Sequence, residues 1–98
     1  MSYLSFEWDP NKAISNKRKH GVTFDEAESV FYDEFARVIS DPDGSIGEER
    51  FIIMGKSEQY NTLVVCHCYR DSDERIRIIS ARKAEKRERK QYEDYRYA

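Results

Sequence analysis

The run from Arg75 to Tyr92, RIRIISARKAEKRERKQY, constrains this chain more than any other stretch, because β-branched alternation gives way to helix-forming residues with no turn chemistry between them. Ile76 and Ile78 alternate with Arg75 and Arg77. Successive side chains of a strand point to opposite faces, so this half reads as a strand with one core face and one cationic face. The second half reads as a helix entered directly from that strand, with Arg82, Lys83, Lys86, Arg87, Arg89 and Lys90 set against Glu85 and Glu88. A merely solvated helix face is a poor account of it: Lys83 repels Arg87 and Lys86 repels Lys90 at four-residue spacing, and only Glu85 and Arg89 are well placed to pair. The expected partner is an anion.

With 98 residues, one domain spanning 1–98 is expected, burying roughly 65% of the surface its unfolded chain would expose. No apolar run approaches a membrane span and no secretory signal opens the chain, so no membrane contact and a cytoplasmic location are expected. Cys66 and Cys68 fall on one face of one strand, too tightly spaced for the usual zinc motifs. They read as reduced small hydrophobes, and with no EF-hand, HExxH or CxxC pattern neither metal nor cofactor is expected. The net charge of −2 conceals an asymmetry: residues 75–92 hold eight Lys/Arg against two Glu, and residues 23–50 hold nine Asp/Glu against two Arg. Such a chain can aim a local positive surface while its other side repels nucleic acid, which disfavours free DNA binding.

Tyr3 to Trp8 reads as a short strand with Leu4, Phe6 and Trp8 on one face. Asp9 caps, Pro10 opens and Gly21 stops a helix over residues 10–20, whose last turn carries Lys17, Arg18, Lys19 and His20 at the negative end of its dipole. Thr23 and Glu26 form a capping box for a second helix with Phe24, Ala27, Val30 and Phe31 inward and Asp25, Glu28, Asp33 and Glu34 on an acidic outer side. Strands follow at 35–39, 49–56 and 62–70, with turns at 41–45, 57–61 and 71–74. Short connections make successive strands antiparallel neighbours, a meander. Strand 62–70 is apolar on both faces, so the sheet is covered twice or cups a partner. The tail from Tyr95 is expected to fray.

Phe6-Glu7-Trp8-Asp9-Pro10-Asn11-Lys12-Ala13, Asn16, Lys19-His20-Gly21-Val22, Phe24-Asp25-Glu26-Ala27, Glu49-Arg50-Phe51, Gly55-Lys56-Ser57 and Arg77-Ile78-Ile79-Ser80-Ala81-Arg82-Lys83-Ala84 occur in this order over nearly the whole chain. Together they resemble the BrnT family of bacterial toxins. The resemblance implies an α+β, RelE-like fold: an N-terminal strand and two helices, an antiparallel meander and a C-terminal basic helix. It also implies a metal-independent endoribonuclease of a type II toxin–antitoxin pair, neutralised by a BrnA-type ribbon-helix-helix antitoxin through which alone operator DNA is reached. Glu85 departs from the family pattern where a helix-starting Thr is expected, and Gly44 where a His commonly precedes Ser45.

Cleaving RNA without a metal requires a group to deprotonate the 2′-hydroxyl, cations to hold the charged phosphorane and an acid for the 5′-oxygen. Given the resemblance, the expected catalytic set is His20, Tyr69, Arg77 and Arg82. Lys19, Arg50, Arg70 and Lys83 are expected on the RNA, and Lys86, Arg87 and Lys90 on the antitoxin. Guanidinium forks suit phosphate, His20 or Tyr69 can move protons, and Tyr69 can stack a splayed base. The bland alternative for each arginine is a surface ion pair with a neighbouring carboxylate. The alternatives for the whole chain are a non-catalytic nucleic-acid-binding or co-repressor partner, and an inactive remnant that only binds antitoxin.

Overall fold

In the computed structural model, which describes residues 4–41, 49–70 and 75–97, the chain runs β1 (Phe6–Glu7), α1 (Pro10–His20), α2 (Phe24–Ser29), a 3-10 turn (Val30–Tyr32), β2 (Arg37–Ser40), β3 (Phe51–Lys56), β4 (Thr62–Arg70), β5 (Arg75–Lys83) and α3 (Lys86–Arg96). Strands β2 to β5 form the expected antiparallel meander, and β1 closes the sheet in the order β1-β5-β4-β3-β2 by running parallel to β5, Phe6 beside Ile76 and Glu7 beside Arg77. The turns expected at 42–45 and 71–74, Tyr3 of the first strand, and the Gly44 departure lie outside the described residues.

Several expected elements change length: strand 49–56 begins only at Phe51, and three others change beside a local feature. The first strand shrinks to Phe6–Glu7, with Asp9, just past its expected end, capping α1 by accepting from the Asn11 N–H at 2.8 Å. Strand 35–39 begins two residues late, because the Phe35 N–H donates to Asp33 Oδ1 at 3.0 Å and the Ala36 N–H to the Asp33 carbonyl, which makes a turn. The helix expected directly after Ile79 does not begin there: Ser80, Ala81, Arg82 and Lys83 continue β5 opposite Cys66, Val65, Val64 and Leu63. Pairing with β4 overrides their helix preference, so Arg82 sits on the strand rather than past its end. α3 then persists to Arg96, through the tail expected to fray.

One face of the sheet packs Ile53, Leu63, Val65, Ile78 and Ala81 against Val22, Phe24, Ala27 and Val30 from the α1–α2 segment. Ile76 is buried as expected, whereas Phe31 is only partly so, edge-on to Phe6 and His67. Strict alternation would put Arg82 on the same face as Ile78. The register instead slips by one residue between Cys66 and His67, leaving Ile79 as the extra residue of a β-bulge, so Ala81 turns inward and Arg82 outward.

Two polar side chains fasten the layers. Asn16, buried on α1, donates from Nδ2 to the Ala81 and Val22 carbonyls at 2.8 and 3.0 Å and accepts from the Ala81 N–H at 3.0 Å, satisfying β5 where β1 is too short to reach. Glu26 leaves half of the capping box undone: Thr23 accepts from the Glu26 N–H at 3.0 Å, but the carboxylate turns inward to accept from Ser57 Oγ and Asn61 Nδ2 at 2.7 and 2.8 Å. Asp33, expected on the acidic exterior, also turns inward, accepting from the Lys56 N–H at 2.7 Å and from the Tyr92 phenol. Gly55 permits this approach, since a Cβ there would sit 2.9 Å from Ala36 Cβ and 3.0 Å from Asp33 Oδ2.

The opposite sheet face is only partly covered. α3 docks along the segment before β2, with Tyr92 on Asp33, Arg96 stacked 5.2 Å from Phe35 and Arg37 stacked 4.8 Å from Tyr95. Ile39 on that face stays 58% exposed.

Candidate active site

Three expected site residues converge from separate elements on the open sheet face. His20 from the end of α1, Arg50 from the residue before β3 and Arg82 from β5 line one depression of about 290 Å³, floored by Ile52 and Val64 and shared with Asp41, Cys66 and Ser80. His20 is placed by the αL turn at Gly21, φ 70°, whose N–H bonds the Lys17 carbonyl at 2.8 Å and ends α1 at the depression. Arg50 reaches it by strand alternation, being two residues from Ile52, which pairs with Cys66. Its Nε is buried and has no hydrogen-bond partner among the described residues.

Arg82 is held in a fork: Nη1 and Nη2 donate to the two Glu88 oxygens at 2.7 and 2.9 Å, and Glu88 also accepts from the Glu85 N–H at 2.8 Å. The pairing with Arg82 keeps the Glu88 carboxyl below the usual carboxylate range, against the opposing effect of burial. Glu85, at the position expected to hold Thr, thus belongs to a helix start built around Glu88.

Cys66 brings no nucleophile. Burial and the neighbouring Asp41 carboxylate, 3.7 Å from Sγ, push its thiol up to about 11, so it stays protonated at neutral pH. Neither Cys66 nor Cys68 is part of a disulfide. Asp41, Cys66 and Ser80 were not singled out from the sequence. The signal that would have found Ser80 is the register slip, invisible in a run that also reads as helix.

The remaining expected residues lie elsewhere. Arg77 pairs with Glu7 at 2.5 Å, at the parallel edge beside β1, and does not line the depression. This is the ion-pair alternative weighed for it. Tyr69 falls on the opposite face from Arg82, in an aromatic cluster with Phe51 and His67, each ring 5.3 Å away. His67 is fully buried there and burial lowers its pKa, which keeps it neutral at pH 7. Arg70, Lys83 and Lys19 are exposed and outside the depression, as are Lys86, Arg87 and Lys90 on α3, the last paired with Asp94 at 3.0 Å.

The depression therefore offers two guanidinium groups and an imidazole around an apolar floor. Guanidinium forks hold a phosphate with developing charge, and imidazole is the side chain suited to exchange protons near neutrality.

Residues 8–88 match the family described as the ribonuclease toxin BrnT of type II toxin–antitoxin systems. The fold is also that of the crystal structure of the Brucella abortus ribonuclease toxin BrnT, at a TM-score of 0.65 and 22% identity, over 86% of this chain and 100% of that one. No curated protein matches in sequence. No helix among the described residues is long and apolar enough to cross a membrane. With the family match reaching from Trp8 to Glu88, the chain belongs to the BrnT family of ribonuclease toxins of type II toxin–antitoxin systems.

Proposed function

We propose that this chain is a cytoplasmic endoribonuclease that cleaves RNA by attack of the 2′-hydroxyl, without a metal, in the depression where His20, Arg50 and Arg82 meet. The observation that carries the reading is that His20, Arg50 and Arg82, from three separate parts of the chain, line one depression. In this reading Arg50 and Arg82 hold the phosphorane and His20 moves the proton. Tyr69 leaves the catalytic set for a place on the other face, where its ring is suited to stacking a base. Arg77, neutralised by Glu7, leaves it as well.

The partner in this reading is a BrnA-type ribbon-helix-helix antitoxin, which carries the complex to operator DNA and covers α3 around Lys86, Arg87 and Lys90. The antiparallel meander, with α1 and α2 on one face and α3 on the other, supports a RelE-like reading of the fold. One observation favours a non-catalytic, antitoxin-binding chain instead: Arg77 and Arg82 are both engaged by carboxylates.

Cleavage separates the two. Purified protein should cut RNA in EDTA and leave 2′,3′-cyclic phosphate ends. Arg82→Ala and Arg50→Ala should each lower the rate by roughly two orders of magnitude, the effect of losing about 3 kcal/mol of charge stabilisation in the transition state. Cleavage that requires added Mg²⁺, or full rates in Arg50→Ala, Arg82→Ala and His20→Ala together, overturns the reading.

A further inference from the structure

Arg82 has five N–H groups, and the way they are shared is specific. Glu88 takes the end-on fork, one N–H each from Nη1 and Nη2, at 2.7 and 2.9 Å. The second Nη1 N–H points back to the Lys83 carbonyl at 3.3 Å. What remains is the side-on fork, Nε and the second N–H of Nη2, two parallel donors spaced to match two phosphate oxygens. Glu88 is itself fixed, because one of its oxygens accepts from the Glu85 N–H in the first turn of α3, where the positive end of the helix dipole favours an anion. The carboxylate thus stands on a rigid element and the arginine on another.

We infer that Glu88 is a positioning residue of the ribonuclease site: by occupying the end-on fork it keeps Arg82 from rotating and presents the side-on fork to the scissile phosphate. The inference rests on the reading of Arg82 as a phosphate ligand. It also turns the ion pair from an obstacle into a part of the site, since RNA need not displace Glu88 to reach the arginine.

The test compares Glu88→Gln, Arg82→Ala and the double variant, with kcat and KM measured separately on a short RNA. Glu88→Gln keeps an acceptor for the Glu85 N–H but loses the bidentate ionic grip, so kcat should fall roughly ten- to hundred-fold, the scale of a misplaced catalytic group, with KM little changed. In the Arg82→Ala background the same change should do nothing further. As a readout independent of turnover, the Arg82 Nε resonance should shift on adding a 2′-deoxy oligonucleotide to the parent, and the shift should be lost in Glu88→Gln although Tm is retained. Should Glu88→Gln unfold α3, Glu88→Asp, which keeps the charge but shortens the reach, takes its place with the same expectations. Full kcat in the Glu88 variant together with a dead Arg82→Ala overturns the inference and leaves the ribonuclease reading standing. Full activity in Arg82→Ala, or no cleavage by the parent, removes both.

Discussion

At the scale of single residues, the carboxylates decide more than their number suggests. Asp33 would count as one more surface charge, yet it gathers the Lys56 N–H, the Phe35 N–H and the Tyr92 phenol. Burial alone would raise its pKa, but these donors outweigh it and hold the carboxyl below its ordinary value. The same contact, with burial, pushes the Tyr92 phenol up to about 12. Because the folded-state value of Asp33 lies below the unfolded one of about 3.9, the unfolded chain binds more protons in the interval beneath it. The Asp33 contribution to stability is therefore complete above about pH 4 and is lost as pH falls through the folded-state value. Asp33→Asn should lower the urea midpoint at neutral pH and flatten its decline below about pH 4; an acid limb as steep as the parent's would remove Asp33 from this role.

At the scale of elements, β5 is finished by a side chain. The two residues of β1 cover only its beginning, and Asn16 supplies at Ala81 the donor and acceptor that a longer neighbour would have given. Removing it takes this partner from the Ala81 N–H and from the Ala81 and Val22 carbonyls, and a buried group left unpaired costs about 1–3 kcal/mol. Asn16→Ala should therefore cost about 3 kcal/mol in denaturant unfolding, with the Ala81 amide exchanging faster than its neighbours. Unchanged exchange at Ala81 would show the edge to be protected otherwise. The sequence made α1 legible to the residue through Asp9, Pro10 and Gly21, and β4 likewise through the turns that flank its β-branched and aromatic run. It did not disclose where β5 ends: Ser80 to Lys83 satisfy helix preference, and only their partners on β4 decide otherwise. For the same reason His20, Arg50 and Arg82 could be named from the resemblance, while their grouping around one depression depended on a bulge no local pattern records.

At the scale of the whole molecule, charge is segregated by segment. The cations Lys86, Arg87, Arg89 and Lys90 of α3 are exposed, although the chain carries only −2 overall. If the antitoxin reads that surface, reversing Arg87 and Lys90 together to Glu should weaken its binding by at least tenfold while RNA cleavage persists, since neither residue lines the depression. Undiminished binding in a titration calorimeter would move the interface off α3. The sheet order carries one more consequence. The first strand pairs with the last, and α1 is anchored through Asn16 to Ala81, so the ends of the chain are stitched together. During synthesis His20 emerges early and waits for β5, the strand that brings Arg82 and the anchor for α1. Folding that depends on contacts between distant residues completes late. On the proposed site, a chain that stops short of β5 lacks both Arg82 and the Ala81 anchor of α1, and should neither settle its sheet nor cleave RNA.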